Sequence, residues 1–389
     1  MWDYVVQFRN FWNPFPNLHV LKPNLQYFRD HGVQMMFEQA TGADNVTSWM
    51  ELRGYLIAKL LWNPDLDADS LIADFCNGYY GAAGAYVKEI VDTMTAALVA
   101  SGKRLDIYGY SIDAVEGYLA PDRMAQYRGL MAKAWQPPLD SLRRERLRRF
   151  ELTLDYATVE LAANGWMEEM FPDGTTEERV EMLLDMTDSL VNDLKRFGVK
   201  QMMEMGVSPD EYKTLIHRCV EKTYGGNKAF SRSVQLRKLP TPPYNHDYPS
   251  GGGQALTDGQ GGILDYRGAW VGFWGDTLDA IVTLGEEPIE VREVSMDFFF
   301  YPLSWIFLPQ SIEYMVSNDG KHWHTIGRHT PVQREVLATP AIGAFTTTLE
   351  IPLQARYLRV VAIPIPAIPT WHRATGQKTW IFTDEILVR

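Results

Sequence analysis

The chain has only two cysteines in 389 residues, Cys76 and Cys219. They lie far apart, outside any CxxC or Cys/His cluster, so no zinc site is expected. The histidines form no HExxH or related metal spacing, and His322 and His324 merely flank Trp323 on an expected strand. No run of about 18 apolar residues occurs, which excludes a membrane-spanning helix on hydropathy grounds. The opening MWDYVVQFRNFW has no charged region followed by an apolar one and does not read as a secretory signal. A basic stripe is also missing. The net charge is −12, and the densest basic run, SLRRERLRRFELTLDY (141–156), is interleaved with Glu at helical spacing. That pattern reads as a solvated helix face and argues against nucleic acid and anionic membrane surfaces as partners. The Gly-rich SGGGQ (250–254) lacks the Lys of a phosphate loop and reads as linker.

What the chain has in excess is aromatic surface. Aromatics make up 12% of it, with 12 Trp and 19 Tyr. Such an excess suits stacking ligands such as carbohydrates, and large cores equally well. The stretch ALTDGQGGILDYRGAWVGFWG (255–275) sharpens the question by setting turn formers among two tryptophans, Trp270 and Trp274. Clustered Trp near a loop is either buried or a binding surface.

Periodicity divides the chain into regions of different character. WDYVVQF (2–8) and VQMMFEQ (33–39) read as strands. Between them NPFPNLHVLKPN reads as a loop and LQYFRDHG as a short helix ended by Gly32. SWMELRGYLIAKLLWN reads as an amphipathic helix with Ser48 as its N-cap. This strand–helix alternation is the rhythm of a parallel sheet or barrel. Two more helices broken at Gly78–Gly81 follow, and RLDIYGY (104–110) reads as a further strand. From about 120 to 235 the pattern is helical. KLPTPPYNHDYPSGGGQ (238–254) reads as a linker. Beyond it, short β runs with regular turns, including the SNDG hairpin signal at 317–320, read as an all-β sandwich.

The C-terminal runs ALTDG, WVGFWG, DAIVTLG, IEYMVSNDGKHW, RYLRVVAI and TDEILV, with WIFLP and TWHRATGQKTWIFTDEI, resemble a discoidin-like (coagulation-factor type C) β-sandwich. Family-32 carbohydrate-binding modules share that fold, and the likeness extends to the sandwich that ends many family-20 glycoside hydrolases. The resemblance implies a structural calcium beside the TDG loop and the closing DEI strand, with Asp258, Asp265 and Glu385 as ligands. Turn capping by the aspartates and an ion pair for Glu385 are the plainer roles. Trp270 and Trp274 are core residues or sugar-stacking surfaces on this reading.

The N-terminal runs WDYVVQFRNFWNPFPNL, HGVQMMFEQ and ELRGYLIAKLLWNPDLDADSLIADFCNGYYGAAGAYV resemble the domain-of-unknown-function 4838 family. That likeness implies a glycoside-hydrolase-like (β/α)8 barrel related to those of family-20 hexosaminidases and α-glucuronidases. An eight-unit barrel takes about 250 residues, so the chain reads as N-terminally truncated, with only the last barrel units present. The fold expected is therefore multidomain α/β plus all-β: the end of a barrel (1–115), a helical region (116–237), a linker (238–254) and a discoidin-like jelly-roll sandwich (255–389).

Active sites on such barrels sit at the carboxyl ends of strands. Glu38 lies at the end of one strand and Asp3 early in another. The resemblance to α-glucuronidases, with carboxylates on two successive late strands, makes them the catalytic candidates. A strand-end cap for Asp3 and a salt bridge or substrate hydrogen bond for Glu38 are the plainer roles. Trp2, Tyr4, Trp12 and Gln39 are candidates to line the same mouth and bind substrate. The function expected is hydrolysis of glycosidic bonds in a polysaccharide or glycan, with no catalytic cofactor. The alternative is a non-catalytic carbohydrate-binding protein or a fragment whose sandwich braces the barrel. By resemblance the protein is bacterial and secreted, periplasmic or on the cell surface. Self-association through the incomplete barrel is a further expectation, since unpaired strand edges invite it.

Overall fold

The computed structural model describes residues 1–40, 47–204, 206–245, 253–264, 266, 269–336 and 340–389. Asp265, one of the expected calcium ligands, lies outside the described residues. The chain divides into two compact units, Met1–Lys213 and Thr214–Arg389.

In the first unit, β1 (Trp2–Tyr4) and β2 (Phe37–Gln39) pair in parallel, with α1 (Leu18–Asp30) between them and α2 (Met50–Trp62) after them. Among the described residues this pair and its crossover are the parallel sheet of the unit, and they do not by themselves show a (β/α)8 barrel. The rest of the unit is helical: α3 (Ala68–Tyr80), α4 (Gly84–Ser101), α5 (Pro121–Ala134), α6 (Ser141–Leu161), α7 (Met167–Met170) and α8 (Thr176–Arg196). α9 (Pro209–Tyr224) follows and crosses into the second unit.

Three local expectations are corrected. α1 begins at Leu18 and runs through Pro23, where a Pro/Asn loop is expected. Leu18, Leu21 and Leu25 form a buried stripe, and that burial offsets the backbone bond Pro cannot make. Residues 104–110 form a turn, not a strand. Asp106 accepts the Tyr108 N–H at 2.8 Å through its side chain and the Gly109 N–H at 3.0 Å through its carbonyl, a local closure that competes with a ladder. Ser48 does not cap α2. The cap position is Trp49, in the left-handed region at φ 53°.

Arg53 explains that geometry. It is fully buried, yet no carboxylate among the described residues meets it. Its Nη1 donates to the Ser48 carbonyl at 2.7 Å and its Nη2 to the Phe15 carbonyl at 3.1 Å. The guanidinium thus ties the loop after β1 to the start of α2. Burial pushes its pKa down to about 10.

The second unit is a sandwich of two antiparallel sheets, ordered β3-β5-β10-β7-β8 and β4-β11-β6-β9. The strands are β3 (Val234–Leu236), β4 (Val271–Trp274), β5 (Leu278–Thr283), β6 (Ile289–Phe300), β7 (Ser311–Ser317), β8 (His324–His329), β9 (Ala341–Ala355), β10 (Tyr357–Ile363) and β11 (Trp380–Val388). Alternate residues such as Ala280, Val282, Tyr314 and Val360 meet Phe273, Val294, Phe298 and Ile381 of the other sheet in one core, the period-two burial of a packed sheet. β3 falls within the stretch expected to be helical. Residues 241–244 exchange backbone bonds with Gly272 along β4.

Candidate functional site

The parallel register of β1 and β2 sets Asp3 directly beside Glu38. Adjacent strands run about 4.8 Å apart, and partners in register share a face. The two carboxylates therefore form a side-by-side pair. Burial of Glu38, followed by the charge of Asp3, pushes the Glu38 carboxyl up to about 7. Its Oε2 is buried without a hydrogen-bond partner among the described residues. A carboxylic acid that keeps its proton near neutral pH beside a second carboxylate is the pairing that general acid–base chemistry uses.

The aromatics expected to share this mouth do not. Trp2 and Tyr4 alternate with Asp3 along β1, and Phe37 and Gln39 alternate with Glu38 along β2, so all four occupy the opposite face. There the Trp2 indole donates to Gln39 Oε1 at 3.0 Å and its ring meets Phe37 edge-on at 5.0 Å. Trp2, Tyr4 and Phe37 are 60%, 48% and 55% exposed, forming an apolar ledge. Trp12 is buried and presents no face to a ligand.

In the sandwich, Trp270 is a core residue. It is fully buried, donates its indole N–H to the Ile263 carbonyl at 2.7 Å, and packs edge-on against Phe299 at 5.2 Å. Gly262 answers to it, because a Cβ there would lie 2.2 Å from the Trp270 ring. Trp274 is half-buried, stacked on Trp305 at 5.8 Å and tilted against Trp380 at 5.0 Å. The Trp- and Gly-rich stretch is thus mainly a packing device, with the Trp274 cluster at its surface end.

Glu385 lies on β11 at an irregularity in the pairing with β6 between Thr383 and Ile386, where a bulge re-aims side chains. It is fully buried. Its Oε1 accepts from Asn227 Nδ2 at 2.9 Å, its Oε2 has no hydrogen-bond partner at normal geometry among the described residues, and the Gly259 backbone N–H favours the ionised form. Burial, and then the charges of Asp258 and Asp384, push the Glu385 carboxyl up to about 9. Asp258 also accepts the Gln260 N–H at 2.9 Å, the turn-capping role.

Beside it stands a charge cluster that reading the sequence did not anticipate. Lys222 of α9 enters the sandwich and donates to Asp384 at 2.7 and 2.9 Å, with Asp297 at 2.7 Å. Arg218 pairs with the other oxygen of Asp297, and the Gly262 N–H donates to Asp384 at 2.7 Å. Two cations face two carboxylates. Burial works against the Lys222 ammonium, but the Asp384 and Asp297 charges overcome it and hold its pKa above the ordinary value.

Comparison with known proteins adds the following. Residues 1–92 match the family described as Domain of unknown function (DUF4838). No curated protein matches the chain. Among solved structures, CpGH89CBM32-6 produced by Clostridium perfringens is 12% identical and covers 42% of this chain and 98% of its own, at a TM-score of 0.26. The CBM32 of AlyQ in complex with 4,5-unsaturated mannuronic acid is 14% identical, covering 41% and 96%, also at 0.26. The C-terminal domain of a chitobiase from Bacteroides fragilis is 15% identical, covering 40% and 92%, at 0.23. No helix among the described residues is long and apolar enough to cross a membrane.

Proposed function

We propose that the protein acts on carbohydrate outside the cytoplasm, and that the first unit hydrolyses glycosidic bonds at the Asp3–Glu38 pair. The carrying observation is the in-register pair with Glu38 raised to about 7. In this reading Glu38 protonates the leaving glycosidic oxygen. Asp3 faces the developing positive charge at the anomeric carbon, and Glu38 then takes a proton from the incoming water. A separation near the strand spacing suits the retaining geometry of about 5–5.5 Å. The test is turnover of a panel of aryl glycosides and glucuronides, comparing the chain with its Glu38→Gln variant. Turnover lost in the variant supports the reading, and turnover equal in both rejects it.

The second unit serves as a discoidin-like module that binds saccharide or braces the first. The half-buried Trp274–Trp305 stack favours this role, since sugar rings stack on aromatic faces. The apolar ledge of Trp2, Tyr4 and Phe37 supports self-association along the β1–β2 sheet. A sedimenting species that stays monomeric at high concentration would exclude it.

We also propose a calcium ion at Glu385. What supports it is a buried carboxylate oxygen of Glu385 beside Asp258, which suits a hard cation. No cluster of three or more metal-ligating side chains occurs among the described residues, so backbone carbonyls or water would complete the shell. Without metal, the folded state keeps a proton on Glu385 that the unfolded chain releases near 4.5. Stability therefore falls as pH rises from there through about 9. Calcium needs the ionised form, so its stabilising effect grows with pH. Melting temperatures in calcium and in chelator, at about pH 5.5 and about pH 8, should diverge more at the higher pH. Equal curves at both would rule the ion out.

A further inference from the structure

A parallel sheet is ordinarily covered on both faces, and two strands alone make a weak sheet. The β1–β2 sheet has two strands. Val5 and Met36 pack into the helical core on the side of Asp3 and Glu38, while Trp2, Tyr4 and Phe37 stand about half exposed on the other. The ladder runs one pair beyond the strands. The Met1 amine donates to the Met35 carbonyl at 2.7 Å, and the Met1 carbonyl accepts from the Phe37 N–H at 3.0 Å. Met35 therefore shares the face of Phe37, and it is 82% exposed. The row of rings continues from Tyr4 edge-on to Phe8 at 5.6 Å and on to Tyr108 at 5.9 Å. At that end the Tyr108 hydroxyl donates to Glu204 at 2.9 Å.

Ring geometry, charge and area select the occupant of this face. Trp2 stacks on Tyr4 at 6.2 Å and 28°, and Phe37 meets Trp2 edge-on. The ring faces are turned toward one another, so the ledge interdigitates with protein side chains and offers no flat platform to a sugar. Trp2, Tyr4, Met35, Phe37 and Gln39 carry no charge, on a chain of net charge −12. A second copy meets such a ledge without like-charge contact, with Gln39 and Glu204 at a polar rim. An aromatic side chain buries about 150–250 Å² when covered, so the four exposed rings and Met35 offer about 550 Å² per copy. Two copies bury roughly 1,100 Å², the low end of specific interfaces. A patch of that size gives a reversible dimer, with the same surface used twice about a two-fold axis.

We infer that a second copy of this chain covers the ledge, and that the sheet so covered holds Asp3 and Glu38 in register. This rests on the proposed self-association and catalytic pair, and it is read without turnover. Sedimentation velocity of the full chain should show monomer passing to dimer, with a dissociation constant on the order of 1–100 μM. Hydrogen exchange in peptides spanning residues 1–8 and 33–40, which carry the ladder donors Val5 and Phe37, should slow roughly tenfold or more as the dimer forms. Phe37→Lys and Met35→Lys, both at exposed positions, bring like charges to the interface. Each should raise the dissociation constant roughly tenfold or more. Trp62→Lys removes a ring that is 91% exposed at the end of α2 and should leave association unchanged. A chain that stays monomeric, Lys variants that dimerise as before, a Trp62→Lys chain that does not dimerise, or exchange indifferent to association would each overturn the inference. A dimer with slowed exchange and no glycoside turnover would uphold it and reject the hydrolytic reading instead.

Discussion

Glu38→Gln should lower glycoside turnover by about 10²–10⁴, the usual contribution of a positioned general acid–base group. The amide keeps the size of the side chain but cannot deliver a proton. The pH profile gives a sharper test than the rate alone. Glu38 is held up to about 7 by burial and by Asp3, so turnover that needs its acid form declines as pH rises through that value. Asp3→Asn removes the neighbouring charge and should shift the alkaline limb to lower pH. It should also depress the rate. A variant with full turnover and an unchanged profile would show that the two carboxylates do not act together.

Lys222→Met should destabilise the second unit by about 3–5 kcal/mol, because it leaves Asp384 and Asp297 buried with one cation fewer. Against a typical stability of about 5–15 kcal/mol, that is a large share. The cost arises from the orphaned carboxylates, so adding Asp384→Asn to Lys222→Met should recover much of it. Urea denaturation of the full chain, followed through the unfolding transition of the second unit, supplies both numbers and their coupling. A loss below about 1 kcal/mol would mean that water or rearrangement satisfies these charges.

Much of the fold is legible in the sequence because its signals are local. The helical periods under α2 to α6, α8 and α9 and the short β runs under β5 to β11 each arise within one segment, and the structure places elements there, whereas β4 falls in a stretch that shows little alternation. The failures are tertiary. Pro23 reads as a breaker, yet the leucine stripe of α1 carries the helix through it. The aspartate of RLDIYGY closes its own turn in place of joining a ladder. The site is legible in part for the same reason. Asp3 and Glu38 stand at strand positions that pair, but the face on which Trp2, Tyr4 and Gln39 fall follows from strand alternation. The Lys222–Asp384 contact joins residues 162 positions apart. A DE pair inside an apolar strand marks buried charge, and nothing local names its partner.

The Asp3–Glu38 pair is the centre of this account, and an NMR titration of the Glu38 side-chain carboxyl tests it most directly. The account predicts a midpoint near 7 in the native protein, falling toward the ordinary glutamate value in Asp3→Asn. A midpoint near 4.5 that does not respond to Asp3→Asn would contradict it.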